Sequence, residues 1–147
     1  MKLLKWTFLA ATLLTFSLSA CKKSASNAKV NNSLSLKFNG TAYSTSNVSG
    51  SYGSGVLQII GTFNTPANVY LAVDSAKTGT FDLATHGSAT FSLSQGNAYF
   101  VDSGTITITS FTGSTVAGTF QFNGTNISNG STCVVTSGTF QTSYSNK

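Results

Sequence analysis

The chain has 147 residues, of which 40% are apolar and only 7% charged, with no Arg and no Glu. That is enough apolar material for one core and too much for a compositionally disordered chain, and the shortage of strong helix formers argues against long solvated helices. The formal net charge of +5 suggests a nucleic-acid partner, but Lys2, Lys5, Lys22, Lys23 and Lys29 all precede Leu34, after which Lys37, Lys77 and Lys147 balance Asp74, Asp82 and Asp102. A folded part without a basic patch cannot displace counterions, so nucleic acid is excluded.

Residues 1–20 read as a secretory signal: a charged start, an apolar stretch from Trp6 to Leu18, then small residues. The apolar stretch is too short to span a bilayer core, which takes about 20 residues. Leu18-Ser19-Ala20-Cys21 looks like the lipobox of a bacterial lipoprotein. The resemblance implies removal of residues 1–20, a diacylglyceryl group on the Cys21 thiol and usually a third chain on its amine. Two or more acyl chains anchor stably. Small residues at Ser17 and Ser19 also suit ordinary secretory cleavage, which would release the domain. Residues 22–33 are polar and without periodicity, so 21–33 is expected to be the lipidated Cys and a flexible tether, followed by a single domain over 34–147. The three lysines of the tether suit anionic headgroups, or simply water. With Cys21 lipidated, Cys133 has no disulfide partner, and Cys133-Val134-Val135 suits a buried strand position.

From Leu34 the pattern becomes alternation between turn residues, the signature of strands. Leu34, Leu36 and Phe38 share a face, and Asn39-Gly40 predicts a type I′ turn returning Thr41 to Ser44 antiparallel. The Gly/Ser-rich run Ser46 to Gly55 is predicted to be a loop. Val56 to Phe63 is the next strand, Thr65-Pro66-Ala67-Asn68 turns the chain, and Val69, Leu71 and Val73 alternate with Tyr70 and Ala72. Gly79 to Leu83, Ala89 to Leu93 and, after Gln95-Gly96-Asn97, Ala98 to Val101 are short strands, the last with Tyr99 and Val101 in phase. Thr105 to Thr109 places isoleucines in and threonines out. Thr115 to Phe122 groups Val116, Phe120 and Phe122. Asn123-Gly124 offers a second turn, although the polar run through Ser131 suggests a longer loop. Thr132 to Thr136 and Gly138 to Tyr144 suit one long bulged strand.

Gly-Thr-Phe occurs at 61–63, 79–81, 118–120 and 138–140. A repeated ligand site is one reading; the physical reading is that Gly relieves a strand bend while Phe fills the core. The expected fold is all-β: an antiparallel β-sandwich or flattened barrel of about eight to ten short strands, with no substantial helix outside the signal.

The inventory for chemistry is short. His86 is the sole histidine, and Asp82, His86 and Ser88 would be the raw material of a Ser–His–Asp arrangement, but they lie in one stretch, whereas such triads are assembled from distant segments. No Gly-x-Ser-x-Gly elbow occurs. One His, one free Cys and three Asp lack metal-ligand spacing, and Gly50 to Gly55 lacks the Lys of a phosphate cradle. No enzyme activity, cofactor or metal is expected. Carbohydrate or peptide binding stays open, with Tyr43, Tyr52, Tyr70, Tyr99 and Tyr144 as stacking candidates, although scattered tyrosines are more often amphipathic edge residues.

Phe38-Asn39-Gly40-Thr41-Ala42-Tyr43, Leu57-Gln58-Ile59 with Gly61, and Thr78-Gly79-Thr80-Phe81 form the first half of a recurring order of features. Gly104 to Thr109, Val116 to Phe122 and Thr136 to Phe140 complete it. This order resembles a group of small Bacteroidetes lipoproteins with a C-terminal all-β domain of unknown function; Tyr43 stands where they often have Trp. The resemblance implies fold and location, not an activity. Asp74-Ser75-Ala76 is similar to the short motif that Bacteroidetes glycosylate outside the cytoplasm. The expectation is therefore a lipoprotein anchored at Cys21 in the outer membrane, facing the periplasm because Lys22-Lys23-Ser24-Ala25-Ser26, just after the Cys, contains no acidic residue, with the cell surface as the other face. Its β-domain would be non-enzymatic and bind a glycan or an envelope protein. The alternative is a lipocalin-like carrier of a small apolar ligand, which would need an enclosed apolar cavity of roughly 300 Å³ or more.

Overall fold

A computed structural model describes residues 30–147; the expected signal over 1–20, Cys21 and most of the expected tether lie outside the described residues. The described part is all-β and contains no helix. Its strands are β1 Ser33–Phe38, β2 Thr41–Thr45, β3 Val48–Gly53, β4 Val56–Thr62, β5 Asn68–Val73, β6 Gly79–Asp82, β7 Gly87–Ser94, β8 Asn97–Phe111, β9 Thr115–Asn126 and β10 Thr132–Asn146. Every pairing is antiparallel except that of β10 with β3.

Hydrogen bonds run β3-β4-β5-β7-β8-β9-β10 and back to β3, a closed ring. The β1–β2 hairpin extends the sheet from the middle of β10, and β6 extends it from the second half of β8. This is a flattened barrel with two layers, β6-β8-β9-β10-β1-β2 over β3-β4-β5-β7. β8 and β10 belong to both layers because each changes neighbour along its length: β8 pairs β7 through Asn97–Phe100 and β6 through Thr105–Ile108. Between those spans the register with β9 slips at Val101/Ser103, and in β10 it slips at Val135/Gly138, where Ser137 takes a positive φ of 52°. Bulges bend strands, and these bends turn the corners of the sandwich.

The turns follow their residues. Asn39 and Gly40 both have positive φ, 47° and 84°, as the type I′ turn requires. Asn39 also clips this hairpin to β10, its Oδ1 accepting from Val134 N at 2.8 Å and its N–H donating to Val134 O at 2.9 Å.

The core fills the space between layers. Phe38 from β1 stacks on Phe91 from β7 with centroids 4.5 Å apart, Tyr99 meets Phe38 edge-on at 5.2 Å, and Tyr43 points its edge at Phe63 and Phe91. These contacts dock the β1–β2 hairpin on the opposite layer. Leu57, Ile59, Leu71, Ile106, Ile108 and Val116 are fully enclosed. At the other end Phe111 stacks on Tyr144 and meets Tyr52 edge-on, and the Tyr144 hydroxyl donates to the Thr112 carbonyl.

The Gly-Thr-Phe copies obey the structural reading, with Phe63, Phe120 and Phe140 buried and Phe81 half-buried. Two copies interlock. Gly118 lies opposite Phe140 and Gly138 opposite Phe120, and a Cβ on Gly138 would come within 2.7 Å of the Phe120 ring. Each glycine leaves the space that the facing phenylalanine occupies.

Three predictions from the sequence fail. Ser46 to Gly55 is not a loop: Val48–Gly53 is β3, turned into β4 by Ser54-Gly55. Its small residues are demanded by packing, since a Cβ on Gly50 would stand 2.9 Å from the Ser143 carbonyl of β10. Asn123-Gly124 is not a turn but the middle of β9; the turn comes at 127–131, built on buried Asn126, whose Oδ1 accepts from Ser128 N and whose Nδ2 donates to Asn97 Oδ1. The two short strands predicted over Ala98–Val101 and Thr105–Thr109 are one bent strand of 15 residues.

Candidate functional site

The structure does not assemble Asp82, His86 and Ser88 into a triad. Asp82 Oδ1 accepts from the backbone N–H of Ala84 at 2.8 Å and Thr85 at 3.1 Å, so the carboxylate closes the turn between β6 and β7. His86 Nδ1 instead lies 3.4 Å from Asp74 Oδ2, with the two side chains 60% and 56% exposed. Ser88 is in β7, paired with Ala72 of β5. Asp74, Ser75, Lys77, Thr80, Phe81 and His86 rim an open cleft of about 400 Å³, which includes Ser75 of the Asp74-Ser75-Ala76 sequence. His86 contacts Asp74 but is hydrogen-bonded to neither hydroxyl of the cleft, Ser75 or Thr80, so the exposed pair is weak support for hydrolysis.

Asp102 accepts a bond from the Thr125 hydroxyl at 2.6 Å. Cys133 is a free, buried thiol facing Gly124 of β9. Burial pushes its pKa above the ordinary value, the Gly124 backbone works against that, and Asp102 adds to the rise. Such a thiol is a packing group rather than a nucleophile. Among the described residues no three His, Cys, Asp or Glu side chains are grouped to hold a metal, and no helix is long and apolar enough to cross a membrane.

The tyrosines divide by face. Tyr43, Tyr52, Tyr99 and Tyr144 pack against the core. Tyr70 points the other way, and cross-strand register puts it in a row on the outward face: Ser49, Ile60, Tyr70, Thr90, Phe100, Thr125 and Thr132 lie directly opposite one another in turn across β3-β4-β5-β7-β8-β9-β10. Ile60 is 41% exposed and Phe100 45%, while Tyr70 and Thr90 are half-buried between them. Phe100 received no role from the sequence, yet the signal was there: Tyr99 and Val101 inward leave Phe100 outward.

The opposite outward face carries another row. Thr80, Thr107, Thr119, Thr139, Ser35 and Ser44 align across β6-β8-β9-β10-β1-β2. Its hydroxyls bond to one another, Thr80 to Thr107 at 2.9 Å and Ser35 to Thr139 at 2.8 Å. Two shallow clefts of about 240 and 400 Å³ meet there at Gln121, beside the β10 bulge.

No curated protein and no solved structure matches the chain. A family model described as a domain of unknown function, DUF6252, matches residues 30–142 and so takes in every strand from β1 to most of β10. The chain therefore belongs to the DUF6252 family.

Proposed function

We propose that this is a lipoprotein of a Bacteroidetes-type envelope, anchored through Cys21, whose β-domain is a non-enzymatic binding module for a glycan or protein partner. The observation that carries the binding reading is the outward row of exposed Ile60, half-buried Tyr70 and exposed Phe100, apolar and aromatic groups aligned on one face. Support for the anchor is Leu18-Ser19-Ala20-Cys21 with its polar tether, and the absence of acidic residues in 22–26 favours the periplasmic side of the outer membrane. The carrier alternative is weakened by an interior occupied by stacked Phe38 and Phe91 and their neighbours.

The test is affinity capture with the anchored protein in its own envelope. Retention of a polysaccharide or a defined envelope protein supports the reading, and turnover of a bound component, abolished in His86→Ala, would overturn it. Palmitate labelling that persists in Cys21→Ala would overturn the anchor, and protease shaving of intact cells that removes the domain would move it to the cell surface.

A further inference from the structure

We propose that the row Ile60, Tyr70, Thr90 and Phe100 is a platform for an extended, uncharged polysaccharide lying across the strands. This rests on the binding-module reading above and names the occupant. Three features carry it.

The first is spacing. Tyr70 in β5 and Phe100 in β8 are separated by one strand, β7, which contributes Thr90 between them. Adjacent strands lie about 4.8 Å apart, so the two aromatic positions repeat at about 10 Å. That is close to the interval between alternate pyranose rings in an extended chain, so each aromatic face meets a sugar face while Thr90 sits under the ring between. Aromatic rings supply apolar area to the C–H face of a sugar and leave its hydroxyls to polar neighbours.

The second is what flanks the row. One pleat away on the same strands and face stand Gln58 and Thr62 of β4, Asn68 of β5, and Ser88 and Ser92 of β7, with the small Ala72 between Gln58 and Ser88 and Ala98 opposite Ser92. Amides and hydroxyls both donate and accept, as sugar hydroxyls require. Gln58 Oε1 has only a long contact, 3.5 Å, from the Ser51 hydroxyl.

The third is charge. The part of the row from Ile60 to Phe100 and these flanking positions carry no charged side chain, and charges of both signs stand beside them, Lys147 in the cleft beside Gln58 and Asp102 at the far end. Asp102, two residues beyond Phe100, is bonded to Thr125. Anionic lipid, nucleic acid or a charged peptide would each need a complementary field. A peptide adding as a strand needs an open edge, whereas β4, β5 and β7 are paired on both sides. A second copy needs about 800 Å² per partner, and four strands' width of row spans only about 15–20 Å.

The test is affinity electrophoresis of the detergent-solubilised full chain in native gels containing hydroxyethylcellulose or glucomannan, both neutral and extended, or polygalacturonate, which is anionic. The expected result is retardation by a neutral polymer and none by polygalacturonate. Tyr70→Ala with Phe100→Ala should weaken it at least about tenfold. Tyr70→Phe with Phe100→Tyr should restore it, and Thr107→Ala on the opposite face should leave it unchanged; thermal melts verify that each variant is folded. Equal retardation of native and doubly substituted chains overturns the platform but leaves the binding module standing. No retardation by either neutral polymer, retardation by polygalacturonate alone, or a dimer that Phe100→Ala dissociates overturns the platform's occupant, and envelope capture then tests the module by itself.

Discussion

The two outward faces of this sandwich are crossed by rows of similar length and opposite character. One row is hydroxyl from end to end, Thr80 to Ser44, and its members bond to each other. The other places Ile60 and Phe100 in water, with half-buried Tyr70 in line between them. Threonine suits an exposed strand position on both counts, by branching at Cβ and by offering a hydroxyl, so a chain with few charges can still present a wetted surface. Ile60, Tyr70 and Phe100 also suit strands, and Ile60 and Tyr70 are a cross-strand pair, but they offer water no hydroxyl line. The hydroxyl face has one large exposed apolar side chain, Val134 at the β10 bulge, whereas Ile60, Tyr70 and Phe100 stand in one register line, and that alignment is what a binding function would use.

The strongest way to break the comparison is to remove what both faces share. Phe91→Ala takes away the ring against which Phe38, Tyr43 and Phe63 pack, and should cost about 3–5 kcal/mol in urea unfolding, loosening both layers together. A change confined to the layer behind the hydroxyl row comes next. The Cβ of Gly118→Ala would collide with the Thr107 carbonyl and lie 2.7 Å from the Phe140 ring, for a loss of about 2–3 kcal/mol with the β8–β9–β10 amides exchanging first in hydrogen exchange.

A smaller effect comes from Cys133 in the same layer. Its pKa is raised in the folded state, so the unfolded chain loses the thiol proton first as pH rises. Its contribution is fully present below the ordinary value of 9.0 and is lost as pH climbs through the folded value. Unfolding midpoints of the native chain should therefore fall more steeply above pH 9 than those of Cys133→Ala. The smallest effects are swaps between the rows. Phe100→Thr and Thr107→Val should each leave stability within about 0.5 kcal/mol, while only Phe100→Thr reduces retention on a phenyl-substituted matrix.

Much of the fold was legible in alternation alone. Ile106 and Ile108 between Thr105, Thr107 and Thr109 announced a half-buried strand, and Asn39-Gly40 announced its turn. β3 was hidden because its small residues serve close packing against β10, a cause that lies more than 90 positions away in sequence. Asn123-Gly124 misled for a related reason: Gly124 packs against the Phe100 carbonyl and the Cys133 sulfur instead of bending the chain. The candidate site was half visible. Alternation assigns Tyr70 and Phe100 to the outside, but alignment of both in one row depends on the registers of β5 with β7 and β7 with β8, which no local pattern encodes.

The parallel pairing of β10 with β3 has a consequence for how the chain comes together. β10 is the neighbour of β1, β9 and β3 at once, so the first hairpin and the ring acquire their seam from the final strand. Until β10 is available, β1 has lost one ladder, β9 has lost another and β3 presents an open edge. Contacts of such wide sequence separation form slowly. If the chain is exported as proposed, this delay would be useful: it would stay unfolded enough to be threaded across a membrane, and the barrel would close only after β10 had followed.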